Sequence, residues 1–172
     1  MFFFPISDDN DSSSRPYVCY FIITICSFIF LWQNTLPINL NQEAIYNFGV
    51  VPAAILSDQP SYLNPYITIF TSMFMHGGWM HLIGNMVFLW IFGDNIEDSM
   101  GHKKFLIFYL MCGVVAALLQ ASIDPESNIP MIGASGAIAG ILGAYLVLHP
   151  KANVNVLFWL FIFITVIKVP AF

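Results

Sequence analysis

The length, composition and charge of this chain exclude several classes of protein. Of its 172 residues, 58% are hydrophobic and only 9% are charged, whereas about a quarter of the residues in a soluble domain are charged. So few charges cannot cover a surface that faces water on every side, so the sequence predicts a protein that resides in a lipid bilayer. Five Lys and Arg against ten Asp and Glu leave no basic footprint for nucleic acid. The three cysteines, Cys19, Cys26 and Cys112, lie in apolar runs and form no disulfide framework.

Five apolar segments approach or reach the roughly 20 residues that a helix needs to cross the hydrocarbon core. The pattern predicts an all-α polytopic helix bundle over residues 17–172, preceded by a polar tail at residues 1–16 that holds no cleavable signal peptide. The predicted spans are Tyr17–Gln33, Thr71–Phe92, Phe105–Ile123, Met131–Leu148 and Val154–Val169.

The distribution of basic residues predicts the orientation of this bundle. Cytoplasmic loops of membrane proteins retain Lys and Arg, and a cytoplasmic N-terminus places four of the five basic residues on that side. The four are Arg15, Lys103, Lys104 and Lys151. The fifth, Lys168, lies near a predicted helix end, from which a lysine side chain can reach the interface.

Two connecting segments carry structural information. Asn34–Phe70 holds four prolines among aromatic residues, which predicts short helices along the membrane interface; an ordinary loop is the alternative. Gly93–Lys104 is predicted to be a structural turn whose acids and bases face water, with Gly93 and Gly101 at helix ends.

Polar residues at the depth of a span are costly, and they often mark functional sites. His81 and Asn85 are four residues apart and therefore share one helical face, whereas His76 lies about 140° away from His81. The pair would point into the bundle, either as interhelical hydrogen-bond partners or as part of a site. A zinc site is disfavoured because His76 and His81 are five residues apart and the nearest acid, Asp94, lies at the far end of the span.

A second polar position opens the fourth predicted span. Gly136 and Gly140 belong to a strip of small residues that favours close helix packing. Ser135 lies at the predicted helix start, where backbone N–H groups lack intrahelical partners and the helix dipole favours negative charge. An N-cap serine beside a packing glycine explains this pattern, as does a nucleophile beside an oxyanion site.

Taken together, the two positions indicate acyl-transfer chemistry. Both lie on the same side of the membrane in the predicted topology, so Ser135, His81 and Asn85 can share one layer of the bilayer. A serine with an imidazole and an amide that donate hydrogen bonds is a sensible constellation for acyl transfer. A general base is not evident among these residues.

Three stretches resemble the rhomboid family of intramembrane serine proteases, in a bacterial-type form. They are His76-Gly-Gly-Trp-Met-His-Leu-Ile-Gly-Asn-Met86, Gly93-Asp-Asn-Ile-Glu-Asp-Ser-Met-Gly101 and Gly133-Ala-Ser-Gly-Ala-Ile-Ala-Gly140. The resemblance implies that Ser135 is the nucleophile and that His81 and Asn85 join the backbone N–H of Ser135 in stabilising an oxyanion. It also implies that Asn34–Phe70 is the family's first external loop, partly embedded beside the bundle.

The implied reaction is hydrolysis of a peptide bond in or near the transmembrane segment of a substrate protein, without a metal or organic cofactor. The expected partners are transmembrane protein substrates and the lipid bilayer itself. We expect a bacterial inner membrane as the location. Family members typically prefer small residues at the cleavage point and helix-destabilising residues nearby.

Two departures from the family pattern affect this expectation. Tyr66-Ile-Thr68 stands near the place of a frequent Trp-Arg pair, and the family's base histidine lies on a sixth core span, whereas this sequence provides five. We therefore expect a fragment of an active rhomboid that has little activity as this chain. The alternative is a non-catalytic rhomboid-like protein that binds the transmembrane segments of client proteins.

Overall fold

The computed structural model describes residues 2–10, 12–56, 63–160 and 163–170. Its helices form a bundle, and a three-stranded antiparallel sheet in the order β1-β2-β3 joins the two ends of the chain. The helices are α1 (Tyr17–Thr35), α2 (Ile38–Phe48), α3 (Pro52–Leu56), α4 (Pro65–Thr71), α5 (Trp79–Met100), α6 (His102–Ile123) and α7 (Ser135–Leu148), with a 3-10 turn at Ser72–Phe74. The strands are β1 (Phe2–Asp8), β2 (Asn153–Leu160) and β3 (Phe163–Pro170).

Four of the predicted spans correspond to helices of the bundle. α1, α6 and α7 begin or end within a few residues of the predicted limits, but α5 starts eight residues later than Thr71 and continues beyond Phe92 to Met100. Gly77 and Gly78 directly precede α5. A hydropathy window averages over such glycines and therefore does not locate the residue at which the helix begins. By length and composition, α1 and α6 are candidate membrane spans, and α7 is a shorter apolar helix.

The fifth predicted span is wrong in the described residues, because Val154–Val169 forms β2 and β3 instead of a helix. The five-helix core predicted from hydropathy is therefore not confirmed. The physical signal was available in the composition: half of the residues in this segment are β-branched, and Asn153 and Asn155 alternate with valines, a period that suits a strand. The tail predicted at residues 1–16 likewise contains β1, which pairs with β2.

Short helices in the segment Asn34–Phe70 are confirmed as α2, α3 and α4, although residues 57–62 of the segment lie outside the described part of the chain. Its position along the membrane interface stays a prediction. The segment contacts the loop before α7, because Val50 and Met131 exchange backbone hydrogen bonds of 3.0 and 2.8 Å.

Glycines allow the helices to approach closely. A Cβ at Gly136 would lie 2.6 Å from the Cβ of Ala116, and one at Gly140 would lie 2.6 Å from the Cβ of Cys112, so both glycines face α6. Gly93 was expected at a helix end, but it lies inside α5, where a Cβ would come within 2.8 Å of the Cys19 sulfur. Its role is to let α1 pack against α5.

Glu97 corrects the expectation that the acids near the end of α5 face water. Its side chain is 0% exposed, and its carboxylate accepts the backbone N–H groups of Val18 and Cys19 at 2.9 and 2.8 Å. Pro16, at the N-cap of α1, provides no side-chain cap. Glu97 therefore accepts the free N–H groups of Val18 and Cys19 in α1 from another helix. His102 Nδ1 lies 2.5 Å from Glu97 Oε1, the same oxygen that accepts the N–H of Val18.

We predict that Glu97→Ala lowers the free energy of unfolding by about 3 kcal/mol or more, because it leaves two buried N–H groups without an acceptor. Glu97→Gln retains one amide oxygen and should lose less. Equilibrium unfolding in detergent micelles measures both variants. Glu43→Gln, on the exposed side of α2, is the matched control and should change the stability by less than about 0.5 kcal/mol. Equal stabilities for Glu97→Ala and this control would contradict the capping role.

Candidate functional site

His81 and Asn85 lie on one face of the first turns of α5, as their spacing predicted. Both side chains line a cavity of about 310 Å³ between α5 and α7. Asn85 is 8% exposed, and its Nδ2 atom is buried without a hydrogen-bond partner among the described residues. The site thus contains an amide donor that no protein acceptor uses.

Ser135 is the first residue of α7, and its side chain is exposed. It lines the same cavity as His81 and Asn85. The first intrahelical bond near this end runs from Ile138 N–H to the Ala134 carbonyl at 3.0 Å, so the N–H groups just before Ile138 have no carbonyl of their own helix to bond. The hydroxyl of Ser135 therefore stands beside N–H groups suited to a developing negative charge.

Gly133 brings the loop before α7 against α5. Its φ is +121°, a value that L side chains rarely adopt, and a Cβ on it would lie 2.6 Å from His81 Nε2. The Gly133 N–H donates to the Ser72 carbonyl at 2.8 Å, which fixes the loop from the other side. The glycine thus allows the backbone just before Ser135 to approach the imidazole of His81.

His76 is buried beside this site. It precedes α5, so helical geometry does not separate it from His81, and the two ring centroids are 5.2 Å apart in an edge-on arrangement. Both ring nitrogens of His76 lack partners among the described residues. Gln33, 1% exposed, holds the His76 backbone by donating to its carbonyl and accepting its N–H, both at 3.1 Å. Sequence reasoning missed Gln33, although a lone amide inside an apolar run was a usable signal.

The remaining histidines lie elsewhere. His102 pairs with Glu97, and His149 lies at the opposite end of α7, near Asn10 and Ser99. Fourteen residues of helix place His149 roughly 21 Å from Ser135 at 1.5 Å per residue. Neither side chain can act on the Ser135 hydroxyl.

Comparisons with known proteins identify a family model and several relatives that this chain resembles. A model of the rhomboid domain matches residues 64–171. The rhomboid protease GluP of Bacillus subtilis is 28% identical over 134 residues, which is 78% of this chain and 25% of the relative. Rhomboid protein 1, mitochondrial, of Saccharomyces cerevisiae is 31% identical over 100 residues, 56% of this chain and 29% of the relative.

A third relative, the presenilin-associated rhomboid-like protein, mitochondrial, of Bos taurus, is 29% identical over 140 residues, 80% of this chain and 34% of the relative. The chain therefore spans between a quarter and about a third of the length of these three relatives.

We predict opposite effects for two glycine-to-alanine substitutions in this region. Gly133→Ala should lower the free energy of unfolding by about 2 kcal/mol, because the new methyl group meets the His81 ring and the backbone is strained. Gly143→Ala should raise it by about 0.5 kcal/mol, since Gly143 is inside α7 and a Cβ there meets no atom within 4 Å. Thermal unfolding in micelles compares the two, and a Gly133→Ala protein as stable as Gly143→Ala would contradict the close approach.

Proposed function

The chain belongs to the rhomboid family, and on that premise we propose that it carries the nucleophile and the oxyanion site of an intramembrane serine endopeptidase. The observation that carries the proposal is one shared cavity lined by Ser135, His81 and Asn85. These residues come from two helices and from distant parts of the sequence, and they supply a hydroxyl and two groups that can donate hydrogen bonds.

The proposed roles follow from the position of each group. The Ser135 oxygen attacks the carbonyl carbon of the scissile peptide bond, and the carbonyl oxygen becomes an oxyanion. The unused Nδ2 donor of Asn85, the His81 ring and the backbone N–H of Ser135 stabilise this charge. Because these donors are held in place before the reaction, they need little rearrangement as the charge develops.

A serine hydroxyl also needs a general base at neutral pH. We assign this role to none of the four histidines of the chain, since His102 and His149 are committed elsewhere and the His76 ring packs against His81. By resemblance to the family, a histidine on a further span supplies the base. We therefore propose that these 172 residues alone have little hydrolytic activity.

The proposed substrates are membrane proteins cut in or near a transmembrane segment, with small residues at the cleavage point. The family is membrane-integral, and its relatives named above include bacterial and mitochondrial proteins. We propose the bacterial inner membrane, with a cytoplasmic N-terminus, because the basic residues accumulate on that side of the predicted topology.

Chemical rescue tests the nucleophile. We predict that a serine-directed fluorophosphonate labels the chain slowly in detergent micelles and that added imidazole accelerates labelling by about ten- to a hundredfold. The reason is that a missing base typically costs several powers of ten, part of which a free base restores. Ser135→Ala should abolish labelling with and without imidazole, as measured by in-gel fluorescence.

Ser122→Ala is the control for this experiment, because Ser122 is exposed and lies on α6, where its hydroxyl donates to the Leu119 carbonyl of the same helix. Its labelling should equal that of the unmodified chain. Labelling that persists in Ser135→Ala would show that another residue reacts, and the nucleophile assignment would be wrong.

The unassigned base favours a second candidate function, a non-catalytic protein that binds transmembrane segments of client proteins. The two functions give different results in one experiment. If the chain retains intact client helices on purification and imidazole restores no labelling of Ser135, the binding function is favoured. Imidazole-dependent labelling favours the enzyme.

A further inference from the structure

The two helices that carry the candidate site run side by side in the same direction. His81 and Asn85 are near the start of α5, and Ser135 is the start of α7. Ten residues further along each helix, about 15 Å at 1.5 Å per residue, α5 and α7 are joined a second time. There a polar cluster, formed by Asp8, Asn10, Asn95, Tyr145 and His149, joins α5 and α7 through two residues of the N-terminal segment.

Asp8 connects the two helices directly. Its Oδ2 atom accepts a hydrogen bond from Asn95 Nδ2 of α5 at 2.9 Å, and the same oxygen accepts the hydroxyl of Tyr145 of α7. Asn95 is 1% and Tyr145 1% exposed, so these donors have no access to bulk water. Partial burial raises the pKa of Asp8, while the Tyr145 hydrogen bond opposes that change. One oxygen therefore holds two helices at a fixed separation.

Asn10 makes a second connection. Its Nδ2 atom lies 2.6 Å from Asn95 Oδ1 on α5 and 3.0 Å from His149 Nδ1 just after α7. The other ring nitrogen of His149 is 3.2 Å from the hydroxyl of Ser99, which belongs to α5. Asn95 Nδ2 donates to Asp8 and, at 3.0 Å, to Asp94 Oδ1 of its own helix. Its Oδ1 therefore faces Asn10, and the two carboxylates together orient this chain of hydrogen bonds.

The contact between α5 and α7 also contains an aromatic pair beside the cluster. The rings of Phe92 and Tyr145 meet edge-on with centroids 4.9 Å apart. The orientation of Tyr145 is therefore fixed by Phe92 on one side and by Asp8 on the other. Since a helix is stiff over three turns, a change of spacing at this end tilts the helices and changes their spacing at the end that carries Ser135 and His81.

We propose that Asp8 and Asn10 are positioning residues, which set the separation of α5 and α7 and thereby hold Ser135 in register with His81 and Asn85. This inference rests on the proposed function, because the alignment of Ser135 with His81 and Asn85 matters only if the three residues act together. The N-terminal segment then contributes to the geometry of the site, although none of residues 2–10 lines the cavity.

Amide hydrogen exchange of the full chain in micelles tests the coupling. We expect Asp8→Ala to accelerate exchange about tenfold in residues 82–85 and 138–139, the hydrogen-bonded amides nearest the far ends of α5 and α7, because both hydrogen bonds to Asp8 are lost. The centre of α6, residues 108–115, should not change and reports on global unfolding. Asp8→Asn should restore slow exchange at both far ends, since one amide oxygen can still accept from Asn95 and Tyr145.

Asp9→Ala is the matched control. Asp9 is exposed, and among the described residues its carboxylate accepts only from the backbone and side chain of Asn153. Asp9→Ala should therefore leave exchange at residues 82–85 and 138–139 unchanged. Faster exchange confined to the neighbourhood of Asp8, or faster exchange everywhere including residues 108–115, would overturn the proposal. The readout needs no reaction at Ser135, so a failure of fluorophosphonate labelling would end the proposed function and leave this result interpretable.

Discussion

Water is absent from the hydrocarbon core, so each polar group of a membrane-embedded bundle has to find its partner inside the protein. Three of the seven buried polar residues that the structure describes meet that constraint by joining separate elements of the bundle. Glu97 caps α1 from α5, Gln33 of α1 holds the backbone of His76, and Asn95 of α5 binds the N-terminal segment. These hydrogen bonds between elements act together with apolar packing to fix which helix lies beside which.

The exceptions to this constraint gather at the candidate site. Among the described residues, four buried side-chain atoms lack a partner, and three of them, both ring nitrogens of His76 and Asn85 Nδ2, lie at or beside the cavity. An unpaired buried polar atom costs roughly 1–3 kcal/mol. Such groups persist where they serve a ligand or a charge that forms only during a reaction, which is the situation of an oxyanion donor.

The sequence predicted what depends on local spacing. The one-turn separation of His81 and Asn85 and the small residues around Ser135 placed these groups correctly on their helices. The polar cluster was out of reach, because Asp8 and Tyr145 are 137 positions apart and neither has a local signal. The hairpin of β2 and β3 was misjudged because hydropathy measures how apolar a segment is, whereas its β-branched residues and alternation specify the strand. Glu97 was misjudged because the N–H groups that donate to its carboxylate belong to another helix, α1.

The cost of the unpaired groups also separates the two candidate functions. A protein that only binds apolar helices needs shape and apolar surface between α5 and α7, and an apolar residue in place of Asn85 would serve it with greater stability. Asn85, with a free donor one turn from His81 and a serine at the start of the facing helix, suits a site where negative charge has to be stabilised. The arrangement at this end of the bundle therefore suits the proposed acyl-transfer chemistry.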